Sequence, residues 1–233
     1  PPAEFAFIAA FLIALPWLVV KAMTFAARKT AHRNIRFNFH GSYGEAVKFF
    51  LLLYLLVPFT LGLAYPLVVQ RQKRFLVERH SFGTSSFAFG ATAGSFYKAY
   101  LVGVLLFFIL AAAAMFLGGM LSSFIDVAQA EEKAGPPGGP ALLAVIVPVV
   151  LVYFLAFAYF HTVTTNLVWG NTANQAHRFS SKLGVMKIAW LYFSNVLGIV
   201  LSFGLLTPWA QIRLARYRAQ CTGVWVADSL GGF

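Results

Sequence analysis

Residues able to do chemistry are few in this chain, and they are scattered. Five histidines (His32, His40, His80, His161, His177) and seven carboxylates stand beside a single cysteine, Cys221. A zinc centre draws its ligands from patterns such as H-E-x-x-H or paired cysteines. No two of these histidines hold the four-residue spacing, and there is no second cysteine. General acid–base work needs positioned groups with tuned proton affinities, and none of the carboxylates lies centrally in an apolar run, so a proton relay through a membrane lacks its usual groups. The expectation is a protein that is not an enzyme, with no catalytic residue, no metal and no cofactor.

What the sequence does supply is cations. Lys and Arg number 18 against 7 Asp and Glu, a formal charge of +11. They gather where apolar runs end at proline, as in residues 66–80, PLVVQRQKRFLVERH. On an amphipathic helix such side chains reach lipid phosphates while apolar neighbours stay among acyl chains. Lys21, Arg71, Arg74, Arg213 and Arg216 are therefore candidate contacts for anionic headgroups, with Trp17, Trp209 and Tyr217 as interfacial anchors. A charged helix end that merely obeys the positive-inside rule explains much of the same pattern. Nucleic acid is not the expected partner, because the cations flank apolar runs and no base-stacking platform is evident.

The elements that must carry these residues are apolar. Of 233 residues 60% are hydrophobic and 11% charged, and the mean hydropathy is +0.75. A water-soluble domain of this length needs more polar surface. Runs long enough to cross roughly 30 Å of hydrocarbon, about 20 helical residues, lie near 3–22, 49–69, 99–120, 141–160 and 188–207. The fold class expected is an all-α integral membrane protein of about five hydrophobic helices, with interfacial amphipathic helices and short strand pieces. The opening PPAEF lacks an initiating Met and a signal-peptide pattern, so residue 1 is read as a truncated start.

The chain also repeats. Residues 16–50 lie without gaps on 66–100: Pro16, Phe25, Phe37, Phe39, Gly44 and Lys48 meet Pro66, Phe75, Phe87, Phe89, Gly94 and Lys98. Pro208 restarts the pattern in the tail, and a fainter copy aligns Phe179 and Gly184 with Phe39 and Gly44. Tandem units of about 50 residues follow, at 3–47, 48–97, 98–186 (with an inserted loop, 121–140) and 187–233, within one membrane domain. Each proline marks a bend, and each F-x-F piece has the alternation of a short strand. Two or three of these can pair into a small sheet at the membrane surface.

RNIRFNFHGSYGEA, NLVWGNTANQAHRFSSKL and WLYFSNVLGIVLSFGLLTPWAQIRLARYRAQ together resemble the YjgN family of bacterial inner-membrane proteins, over nearly the whole chain. That resemblance implies a place in the inner (cytoplasmic) membrane and carries no functional residues with it.

Topology divides on charge. If all five runs cross, Lys and Arg fall ten and eight on the two faces; if 49–69 and 188–207 dip and return, they fall seventeen and one. A short dipping hairpin must, however, satisfy its turn inside hydrocarbon, and five spans is the expectation taken forward. The acidic, Pro/Gly-rich stretch 130–143 reads as a connection on the non-cytoplasmic face. Asn195 is a polar residue inside a span, suited to helix packing or to a pathway, and Ala111–Ala114 with Gly118 and Gly119 offer a small-residue face. The leading function is organisation of anionic phospholipid, or of a membrane protein partner or second copy, through basic interfacial helices. The alternative is a transporter or channel built on the repeats.

Overall fold

The computed structural model describes residues 2–32, 34–132, 139–174 and 177–225. The helices are α1 (Pro2–Lys29), α2 (Tyr43–Val47), α3 (Leu53–Phe59), α4 (Tyr65–Glu78), α5 (Ala93–Glu132), α6 (Gly139–Gly170), α7 (Val185–Leu201) and α8 (Thr207–Cys221), with a π-helical turn, Lys48–Leu52, joining α2 to α3. The strands are β1 (Ala31–His32), β2 (Ile35–Phe39), β3 (His80–Phe82), β4 (Ser85–Phe89), β5 (Thr172–Asn174), β6 (His177–Ser181) and β7 (Thr222–Trp225). Two compact units result: one of residues 1–97, 166–181 and 222–233, the other of 98–165 and 182–221.

Helix dominates, as expected, but the strand pieces form more than a local pairing. All seven join one antiparallel sheet in chain order. Its physical logic lies in the aromatic residues of the F-x-F pieces. Phe37 and Phe87 stack at 6.4 Å, Phe87 meets Phe179 at 6.0 Å, and Phe37 meets Phe82 at 4.8 Å, so one face is an aromatic ladder of the kind that holds cross-strand neighbours together. Phe179 therefore stands level with Phe37 and Phe87. The alignment of Phe179 with Phe39 is off by two residues: helices start four residues after Phe39, Phe89 and Ser181 alike, and Gly184 caps α7 where Ser42 caps α2.

The strands connect in two alternating ways. At one end of the sheet, two-residue links join β1 to β2, β3 to β4 and β5 to β6, with Gly83 at φ +58 in the second. At the other end the chain departs into helices and comes back opposite its point of departure: Phe39 pairs with His80, Phe89 with Thr172, and Ser181 with Thr222. Three helical excursions thus leave the same end of one sheet.

In the sheet unit, Phe75 of α4 packs with Ala27, Phe39 and Ala46, and with Phe49 and Phe50. A Cβ on Gly41 would lie 2.5 Å from the Phe39 ring and 2.8 Å from that of Phe75, so this approach requires glycine. Val68 and Phe75 accordingly face protein rather than acyl chains, which corrects the picture of α4 resting its apolar side on the membrane. Pro66 and Pro208 stand at helix starts as expected, whereas α1 runs unbroken through Pro16. Tyr43 donates to the Ile13 carbonyl at 3.2 Å, next to the carbonyl whose helical donor Pro16 lacks.

In the other unit, α5 and α6 run antiparallel. Tyr100 and Thr164 share a hydrogen bond of 2.9 Å, Phe107 meets Tyr153 at 5.2 Å, and a Cβ on Gly118 would come within 2.9 Å of the Ala144 carbonyl. Gly118 belongs to the close contact; Gly119 faces open space. Among the described residues three helices are long and apolar enough to cross a membrane: Glu4–Lys29, Ala93–Ala128 and Ala141–Gly170. The other two apolar runs, 49–69 and 188–207, expected to be the second and fifth spans, turn back on themselves instead.

Candidate functional site: two helical hairpins

The run 49–69 reverses between α3 and α4, and the run 188–207 between α7 and α8. Both reversals are built alike. At the end of α3, Leu61 N–H donates to Pro58 O and Gly62 N–H to Val57 O; at the end of α7, Phe203 N–H donates to Val200 O and Gly204 N–H to Ile199 O. This is the pair of bonds that defines a Schellman motif, whose first residue past the cap takes the left-handed conformation and is usually glycine. Here that residue is Leu61 (φ +50) in one hairpin and Phe203 (φ +50) in the other, and glycine follows it. A hydroxyl closes each turn: Thr60 Oγ1 donates to Leu56 O and accepts from Ala64 N–H, and Ser202 Oγ donates to Ile199 O and accepts from Leu206 N–H. The turns therefore satisfy much of their own backbone, which answers the objection that a reversal cannot be placed in hydrocarbon.

The side chains at these tips point away from the protein. Leu61 is 93% exposed and Phe203 98%, with Leu63 at 75% and Leu205 at 83%. Below the tips each hairpin is tied across. In the first, Gln72 Nε2 donates to Phe49 O at 3.0 Å, and Arg79 pairs with Glu45. In the second, Asn195 Nδ2 donates to Ala210 O at 3.2 Å, Gly184 N–H donates to the Tyr217 hydroxyl at 3.0 Å, and Lys182 N–H donates to Cys221 O.

These ties separate the expected site residues. Lys21 is exposed on α1 with its ammonium 5.9 Å from the Trp17 ring, itself half exposed. Arg71 and Arg216 are exposed, on α4 and α8. Arg74 is exposed but pairs with Glu78 at 2.8 Å. Arg213 is turned inward: it donates to Ser194 Oγ at 2.7 Å and to Asn195 Oδ1 at 3.3 Å, and stacks over Trp209 at 5.2 Å. Asn195 is buried between the arms of its hairpin, where it packs helices, and Tyr217 is half-buried in the same contact.

A second polar group was not anticipated. His161 of α6 lies 3.1 Å from Arg218 Nη2 and 3.5 Å from the Tyr192 hydroxyl, which itself accepts from Arg218 at 3.2 Å. Gln70, donating to Ala91 O at 3.0 Å, was also missed. The signal for the turns was present as T-L-G-L and S-F-G-L, each beginning six residues before the proline of the following helix.

Electrostatics are set by local pairing. Burial pushes the Glu45 carboxyl up, but hydrogen bonds from the Ser42 backbone and the Arg79 guanidinium outweigh it and hold the group below the usual carboxylate value. Burial lowers the Lys73 ammonium from its ordinary value. An apolar cavity of about 320 Å³ in the sheet unit is lined by Phe37, Leu76, His80, Phe87, Trp169 and Thr172 among others. Among the described residues no three His, Cys, Asp or Glu side chains gather to hold a metal.

No curated protein and no solved structure matches the chain. The family model described as a bacterial protein of unknown function, DUF898, matches residues 1–233, and the chain belongs to that family.

Proposed function

We propose that this is a non-enzymatic protein of the bacterial inner membrane, of YjgN type, that organises anionic phospholipid on the cytoplasmic side through its two helical hairpins. The observation that carries the reading is their shared plan: an apolar tip with the first returning cation, Arg71 or Arg213, ten residues beyond Leu61 or Phe203. At about 1.5 Å per residue that reach is roughly 15 Å, half of the hydrocarbon core. The tips then lie among acyl chains and the cations at headgroup level. With both hairpins returning to the side they came from, seventeen of the eighteen Lys and Arg fall on the sheet side, the distribution that the positive-inside rule assigns to the cytoplasm. The three excursions from one sheet end support the tandem-unit reading.

Arg71 and Arg216 are exposed cations, one on each hairpin, and each near an anionic surface contributes about 1 kcal/mol. Replacing both by Gln in the purified protein should weaken binding to anionic liposomes by roughly tenfold or more and leave binding to neutral ones unchanged. Undiminished binding to anionic liposomes would remove the headgroup claim.

A further inference from the structure

We infer that the two hairpins act as wedges in one leaflet, so that this protein favours, and at high density produces, membrane that is convex toward its sheet side. The inference rests on the membrane reading above and adds a mechanical function to it.

The first argument is backbone conformation. A non-glycine residue in the left-handed region costs roughly 1–2 kcal/mol, and an apolar side chain left in water forgoes its burial as well. Both costs are accepted twice, at Leu61 and at Phe203, with glycine one position away in each turn and better suited to the place. Strain of this kind persists where it has a role. Acyl chains are the occupant that offsets it: each tip is flanked by exposed Leu63 or Leu205, and no charged residue occurs from Phe49 to Gln70 or from Ile188 to Ile212.

The second argument is area. Each hairpin brings two helices, each about 10 Å across, into a reach of one leaflet only, so the four helix sections together add about 300 Å² to that leaflet and nothing to the other. By contrast α5 and α6 are long enough to occupy both leaflets equally. Because the cations of both hairpins assign them to the same side, the two contributions add, and the leaflet on that side expands relative to its partner.

The test reconstitutes the full chain, dye-labelled at Ala128→Cys in a Cys221→Ser background, into vesicles of graded diameter at two phosphatidylglycerol contents, and reads protein density on single vesicles. Density should rise severalfold from the largest to the smallest vesicles. The double variant Leu61→Gly, Phe203→Gly keeps the turn conformation while removing both apolar tips, and it should flatten the rise without changing helix content. A wild-type density independent of diameter overturns the wedge; if that density still follows phosphatidylglycerol content, the headgroup reading survives alone, and if it follows neither, both fall. A glycine variant that keeps the full wild-type slope also overturns the inference, because the tips would then not be its cause.

Discussion

The helix pair α5–α6 and the two hairpins α3–α4 and α7–α8 are made of similar apolar residues, yet they do opposite things at their far ends. In α5 no charge occurs between Lys98 and Asp126, a stretch of about 40 Å at helical rise. In the hairpins the chain stops after a fraction of that, caps its own carbonyls and turns back over Leu61–Gly62 or Phe203–Gly204. The contacts differ in balance. The long pair combines surface fit, with glycines at 103 and 118 admitting two rings and a carbonyl, with hydroxyl bonds from Tyr159 to the Ala99 carbonyl and between Tyr100 and Thr164, whereas the hairpins add side-chain amides that reach backbone carbonyls across the arms. Hydropathy alone therefore does not say whether an apolar run crosses. What decides is whether the sequence carries the means to end a helix and reverse the chain within the run.

The sharpest way to break this contrast is sidedness. In a Cys221→Ser background, single cysteines at Glu45 and Arg79 should react with an impermeant thiol reagent from one face and a cysteine at Ala128 from the other, all or none. Labelling of positions 45 and 79 from opposite faces would turn the first hairpin back into a span.

Packing gives the next largest effect. Gly118→Val places a methyl-bearing carbon against the Ala144 carbonyl, which cannot rotate away, and should cost about 1–3 kcal/mol by overpacking. Gly119→Val, facing open space one residue on, should cost far less. Equal thermal stability of the two variants in detergent would show that the α5–α6 approach is looser than described. The smallest effect belongs to the second hairpin: Tyr217→Phe removes the hydroxyl that accepts the Gly184 N–H and should lower stability by about 1 kcal/mol. Denaturation curves that superimpose would deny that tie any role at the hairpin base.

Part of this was readable in the residues. The F-x-F pieces became β2 and β4 because an apolar-polar alternation has no other regular conformation that puts both rings on one face. Pro66 and Pro208 open helices because proline fits the first turn, where its missing donor is not needed. The hairpins were legible in the charge division, seventeen and one if both runs return, but not in hydropathy: a run of apolar residues has the same hydropathy straight or folded, and the left-handed residue that folds it is Leu in one case and Phe in the other, not the glycine that marks such a stop. The sheet was hidden by distance, since Phe89 finds Thr172 only after two long helices. Arg213 was read as a headgroup contact from its charge; the partners that turn it inward, Ser194 and Asn195, lie on the other arm and become neighbours only once the chain has reversed.

That the chain returns each time to the strand it left has a consequence for synthesis. At about 5–20 residues per second, the ribosome needs on the order of 10 s to go from Phe89 to Thr172. Throughout that interval β4 waits with an open edge, able to pair with any passing strand, and it can be completed only when α5 and α6 have been made and have brought the chain back to it. Synthesis of the α5–α6 excursion is then a timed step of sheet assembly, and a delay in it would leave the nascent protein open to pairing with other strands.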